Sequence, residues 1–426
     1  MLLEKVQLFD TKKDFFVFLL ACLFIFSYAL LIEYNNFKNL TRFDSSILNA
    51  TVIKQYEKSK LSKKNKIKTY QILKLKSNQD ITFYTSAKNS FPDSVGKTLE
   101  LEVWAGKISF YEYMTSFYAY SKVINIDNSL SLKQELNKHI DYVHQDKNSA
   151  DIYKALYTAS PLPKELQSSF SRLGVSHLLA ISGFHLGVLA TVLFFIFKLP
   201  YKYLQDRYFP YRSYRIDSFI FISITLLGYL LFLDSPPSLL RAYTMLLIGF
   251  FLYDRGYKII SMQTLLVTII VLLSLFPRLF FALGFWLSIA GVFYIFLFLI
   301  YFKYLSKVIQ FTLVPIWVYL MMLPYSLIIF SSFSIYHPLS IIWTSLFTLF
   351  YPISILMHLI NYGDFFDGQL VSLITLVDTQ DNVHFNILWL IIFVSISLLS
   401  IYKRWLIWLL LGSSFFMLIE SVYQIT

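Results

Sequence analysis

Long apolar runs dominate this sequence and constrain its fold more than any other feature. Nine runs approach or reach the length that crosses a bilayer, about 17 to 25 residues. They lie near residues 15–32, 175–198, 217–233, 238–253, 259–276, 283–302, 308–330, 386–402 and 404–420. Hydrophobic residues make up 56% of the 426 residues and charged residues only 15%, which excludes an ordinary soluble protein. The sequence predicts a polytopic α-helical membrane protein of about nine spans.

The first run, within residues 1–33, predicts an uncleaved membrane anchor. It follows Lys12 and Lys13, but it is longer than the apolar core of a signal peptide and lacks a small-x-small cleavage site near its end. The run contains Cys22, the only cysteine. No intramolecular disulfide is therefore available, and we expect Cys22 to pack inside the protein.

Residues 34–130 have a different, more polar character and predict a small all-β domain. Apolar and aromatic residues cluster or alternate at 46–56, 67–76, 80–86, 98–104 and 117–125, separated by turn-like segments. Five short strands of this kind are typical of an OB-like barrel, although a fragment of a β-sandwich fits nearly as well.

The β domain is basic, with 15 Lys and Arg against 9 Asp and Glu between residues 33 and 130. On the strand predicted at 67–76, four side chains share one face because side chains alternate along a strand. They are Lys68, Tyr70, Lys74 and Lys76. Lysines that neutralise phosphates beside a ring that stacks on a base suit single-stranded nucleic acid. The alternative is a lysine-rich edge that prevents aggregation of strands.

Two amphipathic helices are predicted across residues 131–172, and they lead to a membrane domain at 173–426. The short loops rich in Lys and Arg place the N-terminus in the cytoplasm and the β domain outside. Residues 334–360 must then begin and end on the outer side. We expect this segment to be re-entrant, with breaks at Pro338 and Pro352, and Asp364 and Asp381 to lie outside.

The stretch SHLLAISGFHLG, residues 176–187, places polar groups in an apolar span. On one continuous helix, Gly174, His177, Ser182 and His185 would fall within an arc of about 140°. Polar side chains inside a span usually face a bundle interior or a water-filled path. A packing seam of Gly183 and Gly187 is an equally reasonable interpretation. A serine hydrolase is disfavoured because no nearby carboxylate would orient the histidine.

Arg241 is the second polar feature of the membrane domain. A guanidinium inside an apolar span costs about 2.5 to 3.5 kcal/mol on insertion scales unless it faces water or a partner. A salt bridge to Asp234 is the structural alternative to a functional role.

Four segments, in order, resemble motifs of the ComEC family, the inner-membrane channel of bacterial natural transformation. The most specific is RLGVSHLLAISGFHLGVLA, and the others are SPPSLLRAYTM, GFWLSIAGV and LPYSLIIFSSFSIYHPLSIIW. The resemblance implies an OB fold on the outer side and a channel lined by the residues of these motifs. Those residues are His177, Ser182, Gly183, His185, Arg241 and Ser288.

The sequence departs from the family pattern in three respects. Trp286 stands where the family usually has glutamine, and Ile341 where it often has asparagine. The seven histidines also contain no His-x-His-x-Asp-His cluster, which the nuclease domain of many family members needs. The nearest substitutes, His139 and His144, are expected on a solvated amphipathic helix. We therefore expect no catalytic or metal site.

The resemblance implies a channel that passes single-stranded DNA into the cytoplasm, with no cofactor. Partners implied besides DNA and membrane lipids are a periplasmic DNA receptor, a cytoplasmic DNA-translocating motor and a separate nuclease. Two alternatives remain open: a membrane-embedded enzyme for a lipid-linked substrate, with His177 and His185 as acid and base, or a small-solute permease.

Overall fold

The computed structural model describes residues 8–9, 11–61, 67–79, 81–127, 131–209, 211–256, 259–375 and 382–425, apart from the side chains of residues 60–68. The chain divides into two compact units. The membrane unit comprises Met1–Asp14, Val143–Ile270 and Leu283–Thr426, and the β unit comprises Phe15–Tyr142 and Val271–Ala282.

The β unit contains one sheet of six strands, in the order β5-β3-β2-β1-β4-β6. Their bounds are β1 Ser46–Leu61, β2 Ile67–Ser77, β3 Thr82–Ala87, β4 Thr98–Trp104, β5 Phe117–Tyr118 and β6 Tyr120–Asp127. All five predicted strand positions are confirmed, the last being divided into β5 and β6. Because β1 is long, it pairs with both β2 and β4 and has a bulge between Val52 and Lys54.

The sheet curls because its two edges belong to neighbouring stretches of chain. Only Ala119 separates β5, which pairs in parallel with β3, from β6, which pairs with β4. Ser121 Oγ also donates to Thr85 Oγ1 at 2.8 Å. The concave side holds a core that includes Leu73, Leu75 and Phe83, each fully buried.

Helix α1, Lys12–Thr41, contributes its C-terminal end to this core through Phe37 and Leu40, so it extends beyond the predicted anchor. The short helix α2, Phe110–Met114, begins with a Ser109 capping box. Arg278 binds Glu33 through two hydrogen bonds of 2.7 and 2.8 Å, and Tyr113 donates to the same carboxylate. This paired arginine is thus neutralised by a residue of α1.

The remaining helices begin with three connecting helices, followed by the apolar helices. The connecting helices are α3 Leu132–Val143, α4 Lys147–Thr158 and α5 Lys164–Arg172. Then come α6 Ser176–Leu179, α7 Gly183–Tyr208, α8 Tyr214–Phe232, α9 Pro237–Asp254, α10 Met262–Leu275, α11 Leu283–Tyr301, α12 Lys307–Phe330, α13 Ser340–Leu359, α14 Asp367–Thr375, α15 Ile387–Leu399 and α16 Leu406–Ile425.

Seven helical segments in the described residues are long and apolar enough to span a membrane, so the chain is a polytopic membrane protein. They are α1, α7, α8, α11, α12, α16 and the segment His337–Leu359 that contains α13. Each of the nine predicted spans overlaps a helix, although the span predicted at 175–198 is divided between α6 and α7. Helices α10 and α15 are shorter apolar helices, and α9 is not among the candidate spans. The predicted count of nine therefore exceeds the seven candidates, and one of these was not among the predicted spans.

Helix α13 differs from the predicted re-entrant segment because it is continuous. Pro352 lies inside the helix, so the predicted break there is wrong, while Pro338 lies in a 3-10 turn before it. Both halves of α13 nevertheless contact the chain that precedes α7: Thr344 approaches His177, and Ser354 accepts from Tyr157. The outer location of both ends stays a prediction.

Candidate functional site: a polar cluster at the start of helix α7

The stretch that carries the two histidines is not one helix. Helix α6 ends at Leu179, Ala180 is extended, and Ser182 caps the N-terminus of α7. Ser182 Oγ accepts a hydrogen bond from the N–H of Phe184 at 3.3 Å, which satisfies an otherwise unpaired helix-end donor. The predicted single stripe is therefore wrong, because serine competes for the backbone and starts a new helix there.

His185 completes a capping box in the position that glutamate usually takes. The N–H of Ser182 donates to His185 Nδ1 at 3.2 Å. Because a backbone N–H can only donate, Nδ1 must be an acceptor, and a neutral ring then carries its proton on Nε2. His185 Nε2 is buried and has no hydrogen-bond partner among the described residues. A buried donor of this kind costs about 1 to 3 kcal/mol.

Aromatic side chains of α13 enclose the ring of His185, which is 0% exposed. The ring centroids of Phe347 and Tyr351 lie 5.1 and 4.8 Å from that of His185, both in edge-to-face geometry. Tyr351 in turn approaches the hydroxyl of Tyr229 on α8 at 3.4 Å. His185 therefore faces protein rather than lipid.

Gly183 allows α7 to approach α9 closely. A Cβ atom placed on Gly183 would lie 2.9 Å from the Cβ of Ala242 and 3.1 Å from Nη2 of Arg241. A methyl group therefore does not fit without displacement of the neighbours. Gly187, by contrast, has nothing within 4 Å of such an atom, so the predicted packing seam is present at its first glycine only.

Arg241 lies in this contact and is only 4% exposed. Its Nε donates to Ser288 Oγ on α11 at 2.9 Å, and Nη1 lies 3.1 Å from the sulfur of Met245. Among the described residues Arg241 forms no ion pair, so the alternative of a salt bridge to Asp234 is not found. A buried guanidinium without a carboxylate is an unusual and costly arrangement.

His177 lies outside the enclosed group. Its side chain is exposed, and Nε2 lies 3.2 Å from Thr344 Oγ1 on α13. The structure thus joins Ser182 to His185. Gly183 contacts Arg241, which in turn binds Ser288. His177 contacts α13, the helix that also covers His185. We call Ser182, Gly183, His185, Arg241 and Ser288 the polar cluster.

The structure describes three of the four side chains on the predicted DNA-binding face of β2. Tyr70, Lys74 and Lys76 are half-buried and share the face opposite buried Leu73 and Leu75, as predicted. The ammonium of Lys74 lies 5.6 Å from the ring centre of Tyr84 on β3. Lys68 belongs to β2, but its side chain lies outside those described.

Sequence reasoning missed a second polar group outside the apolar helices. His144 is 4% exposed, not on a solvated helix as predicted, whereas His139 is exposed. His144 Nδ1 lies 2.9 Å from Asp367 Oδ1, and its Nε2 lies 3.0 Å from Nε2 of His358. These residues lie more than 200 positions apart, and a single sequence contains no pattern that predicts contact between them.

Comparison with known proteins identifies the membrane unit. A family model described as Competence protein matches residues 158–422, more than half of the chain. The chain belongs to the competence protein family. Within this competence protein the match contains the whole polar cluster and α13, whereas all six strands of the β unit lie outside it. Searches of curated proteins and of solved structures gave no match.

Proposed function

We propose that this competence protein is a channel of the bacterial inner membrane that passes single-stranded DNA into the cytoplasm during natural transformation. The observation that carries the proposal is Arg241, a buried cation with no acidic partner among the described residues. A polyanion that crosses an apolar barrier requires cationic or polar groups along its path. A DNA phosphate would be the negatively charged partner for the Arg241 guanidinium.

The other members of the polar cluster would assist by hydrogen bonding. Ser288 accepts from Nε of Arg241, and the sulfur of Met245 lies against Nη1, so Nη2 is the guanidinium nitrogen that stays available to a passing phosphate. The Nε2–H of His185 is a second donor, for which no described residue provides a hydrogen bond of standard geometry. Phe347 and Tyr351 cover that donor, so their displacement would accompany passage of the strand.

The β domain would receive the DNA strand on the outer side. We infer an OB-like barrel because β5 and β6, counted as one strand interrupted at Ala119, close the sheet between β3 and β4. OB folds bind oligonucleotides on the face of their second and third strands. In this chain that face bears Tyr70, Lys74 and Tyr84. Lys68 and Lys76 would add phosphate contacts.

The proposed channel transports DNA and does not cut it. A periplasmic receptor would deliver the DNA, a cytoplasmic motor would pull it, and a separate nuclease would remove the second strand. The alternative of acid and base catalysis by His177 and His185 is less well supported. Nδ1 of His185 is already engaged by the helix cap, and its ring is enclosed by aromatic side chains.

Deletion of the gene tests this function against both alternatives. We expect loss of transformability, restored by the plasmid-borne gene, with unchanged composition of the cell envelope. Altered lipid-linked envelope components would favour the membrane enzyme. Normal transformability with defective uptake of a small solute would favour the permease.

A further inference from the structure

Hydrogen-bond directions around His144 and His358 leave a conflict that two neutral rings beside an ionised Asp367 cannot resolve. Nδ1 of His358 lies 2.7 Å from the backbone oxygen of Ser354, which can only accept, so this nitrogen carries a proton. Nδ1 of His144 lies 2.9 and 3.0 Å from the two oxygens of Asp367. An ionised carboxylate also only accepts, so this nitrogen carries a proton as well.

In two neutral rings both Nε2 atoms would then be bare acceptors. They lie 3.0 Å apart, a distance at which two facing lone pairs repel and a single proton between them forms a hydrogen bond. If Asp367 rather than His144 carries the additional proton, His144 takes its other tautomer and donates to His358. Both arrangements hold one proton more than an ionised Asp367 with two neutral rings.

We propose that His144 and His358 share this proton and that it fastens the chain preceding α4 to helix α13, as a pH-sensitive latch. His144 lies between α3 and α4, whereas His358 lies in the last turn of α13. The latch therefore joins segments that are more than 200 residues apart in sequence.

The charges around the pair favour a bound proton. Asp367 at the start of α14 contacts the pair through His144, and the charges of Asp146 at the N-cap of α4 and Asp364 in the 3-10 turn act on Asp367. Burial raises the pKa of the Asp367 carboxyl, while the neighbouring His144 lowers it. The neutral tyrosines Tyr153 and Tyr157 complete the surroundings, and burial raises the pKa of each hydroxyl.

Packing covers the His144 side of the pair, whereas His358 is half-buried. The ring of Tyr153 stacks on His144 with centroids 4.4 Å apart. A Cβ on Gly363 would lie 2.9 Å from Cδ2 of His358 and 2.7 Å from a methyl carbon of Val143. The 3-10 turn therefore closes directly over the pair.

A metal ion between the rings fits less well than a proton. Tetrahedral zinc holds its nitrogen ligands about 2.0 to 2.1 Å from the metal, which places them about 3.3 to 3.4 Å apart rather than at the observed 3.0 Å. The described residues contain no group of three or more His, Cys, Asp or Glu side chains suited to hold a metal.

The latch would control the position of α13, which covers His185 through Phe347 and Tyr351. At raised external pH, loss of the proton would release the end of the helix that His358 occupies. This consequence for DNA passage rests on the proposed function. The latch itself does not, so a test without DNA separates the two.

The test is the melting temperature of the full-length protein in detergent between about pH 7 and about pH 9, above the ordinary histidine pKa of about 6.5, where the two histidines of the unfolded chain bind little proton. A folded state that binds one extra proton loses stability as pH rises, by up to about tenfold per pH unit in the folded-to-unfolded ratio. We expect wild type and the exposed control His139→Gln to lose melting temperature across this range. His144→Gln and His358→Gln, which hydrogen-bond without an ionisable ring, should lose most of that pH dependence.

Asp367→Asn provides a second test if either histidine variant fails to fold. Asparagine keeps an acceptor oxygen for His144 but removes the negative charge, so the pH dependence should fall while the melting temperature near pH 9 stays close to that of wild type. Equal pH profiles in wild type and all variants would refute the latch. Two results together would show that a metal ion, not a proton, joins the rings. Zinc would raise the melting temperature of wild type but not of His144→Gln, and a chelator would abolish the pH dependence of wild type.

Discussion

Replacement of Arg241 by methionine separates a functional role from a structural one. Methionine reproduces the unbranched stem of arginine as far as Nε without the charge, and Arg241 already lies against the sulfur of Met245. A structural arginine would make the variant unstable. A phosphate-binding arginine would leave the protein folded and stop DNA uptake.

The expected stability change follows from two opposing terms. Removal of the buried guanidinium recovers about 2.5 to 3.5 kcal/mol on insertion scales. Loss of its hydrogen bond to Ser288 at 2.9 Å costs about 1.5 to 3 kcal/mol, the usual value for a charged donor. The net change lies between about 0.5 kcal/mol against the variant and about 2 kcal/mol in its favour.

Two measurements on Arg241→Met check the prediction: melting temperature in detergent and transformation frequency in the deletion strain. We expect an unchanged or higher melting temperature and a loss of transformation. Arg255→Met is the matched control, because Arg255 caps the other end of α9 and is exposed. Transformation at the wild-type level in Arg241→Met would refute the role of Arg241, and a large fall in melting temperature would refute the stability estimate.

Two further predictions concern the β domain and the topology. Tyr70→Ala in the full-length protein should weaken binding of single-stranded DNA by about 1 to 3 kcal/mol if the ring stacks on a base. If Lys74 contacts one phosphate, Lys74→Ala should reduce the slope of log binding constant against log salt concentration by about 0.7. Unchanged binding isotherms in both variants would show that DNA does not bind this face. A cysteine at Asp364 in a Cys22→Ser background should react with an impermeant maleimide in intact spheroplasts, as should one at residue 381, outside the described residues. Labelling only after lysis would overturn the outer location.

The sequence was sufficient for features that depend on local patterns. Apolar runs predicted the helices, and alternation with turn residues predicted β1 to β4 to within a few residues, because each pattern reports burial along one element. The predicted face of β2 followed from the same alternation, with Tyr70 and Lys74 opposite Leu73.

Features that depend on tertiary contacts were not predictable. Ser182 interrupts the histidine-bearing stretch because its side chain caps α7, although apolar residues continue on both sides. Pro352 fails to break α13 because neighbouring elements hold the helix through contacts such as Tyr157 with Ser354. Phe347 covers His185 although the two residues are far apart in the chain. One sequence alone contains no pattern that predicts such a contact.

The central claim, that single-stranded DNA passes the polar cluster, is tested most directly by crosslinking during uptake. A photoreactive amino acid is placed at Ser288, beside Arg241, or at Leu231 of α8, which is 63% exposed. Cells begin to take up labelled DNA, the cytoplasmic motor is then arrested with strands in transit, and the cells are irradiated. The account predicts crosslinks to single-stranded DNA at Ser288 and none at Leu231. Equal crosslinking at both positions, or none at Ser288 while DNA still enters the cell, would contradict it.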